Sequence, residues 1–534
     1  MKLKKWIAAS AVFCLAAAAA GCSKEAAESP AGSSAAVESE SASAAPEESQ
    51  GPGGPEGETH GESGYGPAGP GGSGDFDEFE GQETFGYEFP GWENQNGAEE
   101  GEFGGSADFP DETAPEEEPA FVQQKIVVAT DMHYLAEELA GNRGETFMTM
   151  VRDSDGSVLQ YGWEVMDAFL EDVLEEQPEL VVLSGDLTLN GEKKSHEELA
   201  EKLSILTENN IEVAVIPGNH DINHPHASDF TEDGEKPVES ITAEEFAEIY
   251  ADYGYTAADS RDPNSLSYLY KLDDYYWLLM LDSCQYEPAN QVGGMIQRGT
   301  YRWIEAVLEE SWEQGAQIIS VSHHNLLDQS GVSREFYDDC TIEHHEELLE
   351  LLAGYDVRLH MSGHLHLQHY IQDEEYGIYE IVTGSLVMAP CQYGVLRIWN
   401  DGNLQYDARE TDVSGWAKRN GYKNNQALTN FKSYCANFLA QVSYVDALED
   451  LKHQFFDRHI FISDADMKDM ARFYAELCVY YFGGRMYEIA DRVKAEEAYK
   501  KWDAIEYASD LSDFLKNILE DEAKDFGHLM IPYE

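Results

Sequence analysis

The sequence is poor in bases. Its 534 residues carry 34 Lys and Arg against 103 Asp and Glu, a formal net charge of −69. Affinity for nucleic acid comes mainly from Lys and Arg that neutralise phosphates, so a surface of this sign excludes long DNA or RNA as a partner. Cysteine is scarce as well. Cys14 and Cys22 lie near the N-terminus, and Cys284, Cys340, Cys391, Cys435 and Cys478 are scattered through the body with no CxxC pair. An odd, dispersed set provides neither a disulfide framework nor a zinc–thiolate site. Buried free thiols are expected, with room for one bridge. Length in the N-terminal apolar run is missing too. Trp6 to Ala20 is apolar but too short to span a bilayer comfortably, which argues against a permanent membrane helix.

What that run does have is the layout of an export signal. Lys2, Lys4 and Lys5 form a basic head, and the run ends in Ala19-Ala20-Gly21-Cys22. This ending resembles the lipobox of bacterial lipoproteins, with Ala19 where Leu is usual. The resemblance implies cleavage before Cys22 and a diacylglycerol on its sulfur; ordinary cleavage at an A-x-A site is the alternative. Residues 1–22 are thus expected to be a lipoprotein signal peptide. The mature chain would be held by lipid at Cys22 on the extracytoplasmic face of a bacterial cell membrane. Residues 23–122 are dominated by Ser, Ala, Gly, Pro and Glu, with Lys24 the only base before Lys125. Such a stretch cannot bury enough apolar surface to offset its ordering entropy, so it reads as a disordered, self-extended acidic tether. Between Asp75 and Trp92 it interleaves acids with aromatics, and an interaction motif there is the alternative to a plain tether.

From Lys125 the pattern alternates between strand and helix. Strand-like runs are expected at Lys125–Thr130, Glu179–Ser184, Val213–Pro217, Tyr275–Leu281, Gln317–Val321, Val357–Met361, Tyr379–Thr383 and Gly394–Trp399. Helical segments between them include Tyr161–Glu176, His196–Asn209 and Thr300–Gln314. Alternation of this kind indicates an α/β domain, here residues 123–412, with strands covered on both faces. After about residue 412 the strand signals stop. Phe431, Tyr434, Phe438 and Val442 follow helical spacing, as do Met470, Phe473, Leu477 and Tyr480, and Leu511, Phe514, Leu515, Ile518 and Leu519 make a third apolar face. Residues 413–534 therefore read as a small all-α C-terminal domain, with Gly483-Gly484 stopping its second long helix.

Chemistry-bearing residues collect where the strand-like runs end. Five short motifs occur in order: Asp131-Met-His133, Gly185-Asp186, Gly218-Asn219-His220-Asp221, Ser322-His323-His324 and Gly363-His364-Leu-His366. In open α/β sheets, ligands gather beyond the carboxyl ends of strands, so five such ends place Asp, Asn and His side chains around one crevice. Carboxylate, carboxamide and imidazole donors without thiolate suit Mn, Fe or Zn. Hard magnesium or calcium sites rarely use four histidines. Two such ions roughly 3.5–4 Å apart can clamp both oxygens of an in-line displacement at phosphorus and lower the pKa of a shared water toward neutrality. Hydroxide is then the nucleophile, and no Ser or Cys appears in a recognisable nucleophile setting.

The five blocks, D-x-H, GD, GNH[DE], H and GHxH, resemble the calcineurin-like metallophosphoesterase superfamily over about residues 125 to 400. The resemblance implies a sandwich of two mixed β-sheets flanked by helices. It implies that Asp131, His133 and His366 bind a first metal, that Asn219, His323 and His364 bind a second, and that Asp186 bridges them. His220 is implied as the catalytic residue that stabilises the phosphoryl oxygen or protonates the leaving group, with Asp221 orienting it. His323 and His324 are adjacent, and the family pattern takes the first as the ligand. Purple acid phosphatases carry Tyr where Leu189 stands, which disfavours that branch. The strings Gly185-Asp-Leu-Thr-Leu-Asn-Gly-Glu192 and Gly363-His-Leu-His-Leu-Gln368 resemble bacterial cyclic-nucleotide phosphodiesterases, some of them lipoproteins with a helical C-terminal domain. The expected activity is hydrolysis of small phosphodiesters, cyclic nucleotides foremost; bound cations can invert the field of an acidic protein locally. A phosphomonoesterase or nucleotidase on the same site is the runner-up, and a non-catalytic surface interaction lipoprotein the third reading. Among the remaining histidines, His196 is expected to be solvated on a charged helix, His224 and His226 to lie on a loop, either at the surface or lining the substrate mouth, and His360 and His369 to be buried and satisfied or to back the site.

Overall fold

The computed structural model describes residues 120–533, apart from 232–233, 337–338, 459–461, 506–509 and 522–523. The signal with Cys22, and the tether as far as residue 119, lie outside the described residues. Among the described residues no helix is long and apolar enough to cross a membrane.

The chain opens with three strands of one sheet: β1 (Val122–Ala129), β2 (Leu180–Leu183) and β3 (Glu212–Val215), parallel to one another. Helices α1 (Gly162–Glu176) and α2 (Lys193–Glu208) connect them. A second sheet follows, built from β4 (Ser260–Arg261), β5 (Tyr268–Lys271), β6 (Tyr276–Met280), β7 (Gln317–Val321), β8 (Leu359–Ser362), β9 (His369–Gln372) and β10 (Tyr379–Val382). Helices α3 (Arg298–Gln314) and α4 (His345–Ala353) interrupt it. The chain then returns to the first sheet with β11 (Gln392–Trp399), antiparallel to β1, and β12 (Leu404–Glu410). Sheet one has the order β13-β12-β11-β1-β2-β3 and sheet two β9-β10-β8-β7-β6-β5-β4, where β13 is His528–Ile531. Both sheets mix parallel and antiparallel pairs, and each of the eight expected strands is present.

Period-two alternation explains the layering. On β6, Leu278 and Met280 join Val127, Val181 and Ile319 in one core shared by both sheets. The intervening Trp277 and Leu279 instead pack with Ile304 and Leu308 of α3 and Leu348 of α4. Successive side chains of a strand point to opposite faces, so a continuous apolar run marks a strand covered twice.

The C-terminal region is helical: α5 (Val413–Arg419), α6 (Phe431–Arg458), α7 (Asp464–Phe482) and α8 (Asp510–Glu520). Helix α7 starts at Ser463, whose side chain accepts from Asp466 N, and ends where Gly484 takes a φ of 69°. The sequence reading ended in helix, but the structure adds β13, paired with β12 from Leu404↔Ile531 to Asp407↔His528. Only four residues long, with Leu529 and Ile531 buried and Met530 exposed, it gives too brief an alternation to stand out after three helical stripes. The five cysteines of the body are free and buried.

Candidate metal centre

The first residues after β1, β2, β3, β7 and β8 meet at one end of the sandwich, where loops from both sheets are stitched together. Asp131 N donates to Gly185 O at 3.1 Å and His133 N to Asp186 O at 3.0 Å. Gly363 N donates to His323 O at 3.0 Å, and His364 N to Asp131 Oδ2 at 3.0 Å, which joins the two sheets directly. The backbone is strained here. Asp131, His133, Asp186, His364 and His366 all adopt positive φ, between 40° and 71°, a region that non-glycine residues rarely enter and that clusters at functional sites. Glycine is required beside them. A Cβ on Gly363 would run into Thr130 Oγ1, and one on Gly218 into the backbone and carboxylate of Asp186.

The side chains converge. His133 Nε2 lies 2.9 Å from His366 Nε2, and His366 Nε2 lies 3.6 Å from Asp131 Oδ1. Asp186 Oδ2 is 3.8 Å from His133 Nε2 and 3.4 Å from His323 Nε2. His323 Nε2 is also 3.0 Å from Asn219 Oδ1. One ligand atom from each of Asp131, His133 and His366 falls within 4.8 Å of the others. The same holds for Asp131, Asp186 and His323, for His133, Asp186 and His220, and for His323, His324 and His364. The rear nitrogens are anchored: His323 Nδ1 by Ser184 O at 3.0 Å, His364 Nε2 by Asp339 O at 3.2 Å, and His366 Nδ1 by Asp155 Oδ2 at 3.0 Å. Such backing fixes the tautomer and aims the other nitrogen. His324 differs. Its Nδ1 meets Ser283 Oγ at 2.8 Å and its Nε2 meets Val292 O at 2.7 Å, so neither nitrogen pairs with another candidate ligand, whereas His323 and His366 turn Nε2 to Asn219 and His133.

Electrostatics fits a cation-binding cluster. Burial alone would raise Asp186, but the rings of His323 and His220 outweigh it and hold the carboxyl well below its usual range. Burial likewise opposes protonation of His323 and His366. Yet Asp186 lifts the first to about 9, and Asp155 with Asp131 lifts the second to about 9. His133, where burial dominates, is pushed down to about 3. Two buried carboxylates thus share a common centre with imidazoles that they drive to take up protons, and the compensating positive charge there is what a bound cation would supply. The donor set has no thiolate and mixes oxygen with imidazole nitrogen, which fits divalent transition metals.

His220 stands at the edge of this group. Its Nδ1 donates to Leu189 O at 2.8 Å and to Asn190 Oδ1 at 3.1 Å, and its ring stacks on His224 with centroids 5.0 Å apart. The expectation that Asp221 orients His220 is corrected. The Asp221 carboxylate accepts from Gly218 N, Leu187 N, Thr188 N and Thr188 Oγ1 at 2.8–3.1 Å, and so holds the loops in shape. Neighbours in a tight turn point apart, which adjacency in sequence hides. His196 is corrected too. It is fully buried, bonded to Tyr250 OH, Thr188 Oγ1 and Asp221 O, because α2 lays this face under the Asp186 loop. His360 is a satisfied core residue between Ser320 Oγ and Ser322 Oγ. Asp155 and Asn190 escaped the sequence reading. The only signal for Asp155 was an acid in a turn, Asp153-Ser-Asp155-Gly156, 211 residues from the histidine it backs.

The family model for calcineurin-like phosphoesterase matches residues 124–368, and that for the C-terminal domain of cyclic nucleotide phosphodiesterase matches residues 412–525. No curated protein is significantly similar. Among solved structures, a dimetal phosphatase from Danio rerio is 13% identical, with a TM-score of 0.39, covering 55% of this chain and 97% of that one. A purple acid phosphatase from yellow lupin is 16% identical at a TM-score of 0.33, over 56% and 52% of the two chains. The phosphopantetheinyl hydrolase of Mycobacterium tuberculosis is 12% identical at 0.27, over 49% and 89%.

Proposed function

Residues 124–368 form a calcineurin-like phosphoesterase domain, which makes the chain a metal-dependent phosphoric ester hydrolase, and from that premise we propose that it hydrolyses small phosphodiesters, cyclic nucleotides foremost. The observation that carries this reading is the match of residues 412–525 to the C-terminal domain of cyclic nucleotide phosphodiesterase. Phe482 of that region and Phe526 just beyond it both accept from Gln368, two residues after the GHxH block: Gln368 N donates to Phe482 O and Gln368 Nε2 to Phe526 O, each at 3.0 Å.

In this reading Asp131, His133 and His366 would hold one ion and Asn219, His323 and His364 the other, with Asp186 placed between the two groups. His324, whose ring nitrogens pair with Ser283 Oγ and Val292 O and not with another candidate ligand, stays outside the ligand set. When bound, two Mn, Fe or Zn ions supply Lewis acidity at the phosphoryl oxygen and bring the pKa of water toward neutrality. His220, fixed at Nδ1 by Leu189 O and Asn190, presents Nε2 to hydrogen-bond the phosphoryl oxygen or to hold the proton for the leaving oxygen,. The converging side chains are histidine, carboxylate and carboxamide, and the Asp155 carboxylate stands behind His366. A phosphodiester monoanion suits such a set better than a monoester dianion, which calls for guanidinium or ammonium donors. The signal-like head and Cys22 support display outside the cell on a lipid anchor.

Metal-loaded protein is expected to turn over bis(p-nitrophenyl) phosphate faster than the monoester, and then to cleave members of a panel of 3′,5′- and 2′,3′-cyclic nucleotides. The reverse preference would favour the nucleotidase reading, and neither activity with no metal bound would sink the enzymatic one. A Cys22→Ser variant is expected to move from membrane to soluble fraction; unchanged partitioning would refute the anchor.

A further inference from the structure

Glu380, in the middle of β10, is fully buried and touches none of the residues assigned to the metals. Its two oxygens take four donors. Oε1 accepts from Leu326 N at 2.8 Å and Ser362 Oγ at 2.7 Å, and Oε2 from Leu327 N at 2.6 Å and Gln329 Nε2 at 2.8 Å. Leu326 and Leu327 continue the loop that carries His323, and Ser362 immediately precedes Gly363-His364. Asn325 adds a second tie between the same two loops, donating Nδ2 to Ser362 Oγ at 2.9 Å and to Gly363 O at 3.1 Å.

The network continues outward. Because Gln329 donates from Nε2 to Glu380, its Oε1 is turned to His369 Nδ1, 3.1 Å away. The other nitrogen of that ring lies 3.1 Å from Asp521 Oδ2, just beyond α8, and the ring stacks on Phe526 with centroids 3.8 Å apart. A carboxylate under the metal loops is therefore joined, through two side chains, to the end of the helical region.

We propose that Glu380 is a positioning residue for the metal half held by His323 and His364, and that the Gln329–His369–Asp521 chain makes the C-terminal region part of that support. The proposal rests on the ligand assignment above. The opposite half has its own backing, Asp155 behind His366, and does not run through Glu380. Outer partners of metal ligands typically set affinity by 10–100-fold, and a half-satisfied buried network is costly.

The test is a Mn²⁺ titration of the metal-free full chain by calorimetry. Wild type should show two binding events, one of them abolished by His323→Ala. Glu380→Gln puts an NH₂ where an oxygen accepts two donors. It should weaken that same event by about 10-fold or more, leave the other within twofold or so, and lower activity in a way that saturating Mn²⁺ restores. Asp521→Ala, at the outer end, should weaken the same event by a smaller factor, and it decides the matter if Glu380→Gln does not fold. Equal weakening of both events, or no change in either variant, overturns the proposal. A wild type that binds no divalent ion overturns instead the metal reading beneath it.

Discussion

Asp186 stands between the two groups of candidate ligands, 3.8 Å from His133 and 3.4 Å from His323, and its Oδ1 also accepts His220 N at 2.8 Å. Removing it should therefore act on both proposed ions at once. Asp186→Ala is expected to lose metal loading and activity together, measured by elemental analysis beside turnover. His220→Ala should keep both ions and lose about 10²–10⁴ in kcat, the usual worth of a general acid–base group. Loss of metal in that second variant would contradict the separation of roles. At this scale the sequence was legible wherever a residue type carries its chemistry in a short motif. It was illegible where the fold supplies the partner. Nothing near Asp155 in the chain names His366, and nothing at Asp221 says that its carboxylate turns to Thr188 rather than to the ring beside it.

Between elements, the same distinction separates what was read from what was missed. β2 is Leu-Val-Val-Leu, buried at every position, and its short length and two β-branched valines favour strand over buried helix. β12, Leu404–Glu410, alternates apolar with polar and acidic residues and ends exposed, a half-buried strand pattern that lacks the continuous apolar run marking the other strands. The joint between α1 and α5 is a case of burial working against charge. Asp172 accepts Asp412 N at 2.9 Å at the start of α5. Burial, partly offset by that hydrogen bond, pushes its carboxyl up to about 7 from 3.8. The folded protein thus holds a proton that the unfolded chain has released. This contribution to stability is full below about pH 4, falls as pH rises, and is gone above about 7. Asp172→Asn keeps an accepting oxygen without the charge. It should raise stability at pH 8, with about 4 kcal/mol as the upper bound for a shift of this size, and make little difference at pH 4. Denaturant midpoints at the two pH values provide the check, and equal effects at both would show that the buried charge is not the cause.

At the scale of the molecule, the acid excess and the metal centre pull in opposite directions on an anionic substrate. The net charge of −69 creates a repulsive field that reaches as far as salt allows, about 30 Å at 0.01 M and about 8 Å at 0.15 M ionic strength. The attraction proposed to bind the substrate is local, at the buried end of the sandwich, and screened far less. Salt should therefore remove the repulsion met on approach while sparing the attraction met on arrival. For an anionic diester, kcat/KM is expected to rise several-fold, on the order of 3–10 times, between those ionic strengths, with kcat nearly constant because bound substrate no longer crosses the field. Proteins that steer substrates with basic clefts show the opposite slope. Steady-state rates across a sodium chloride series, with metal held saturating, decide between them. A falling kcat/KM would mean that the bound cations dominate the field far beyond the crevice, and a falling kcat that salt acts on the loaded centre itself.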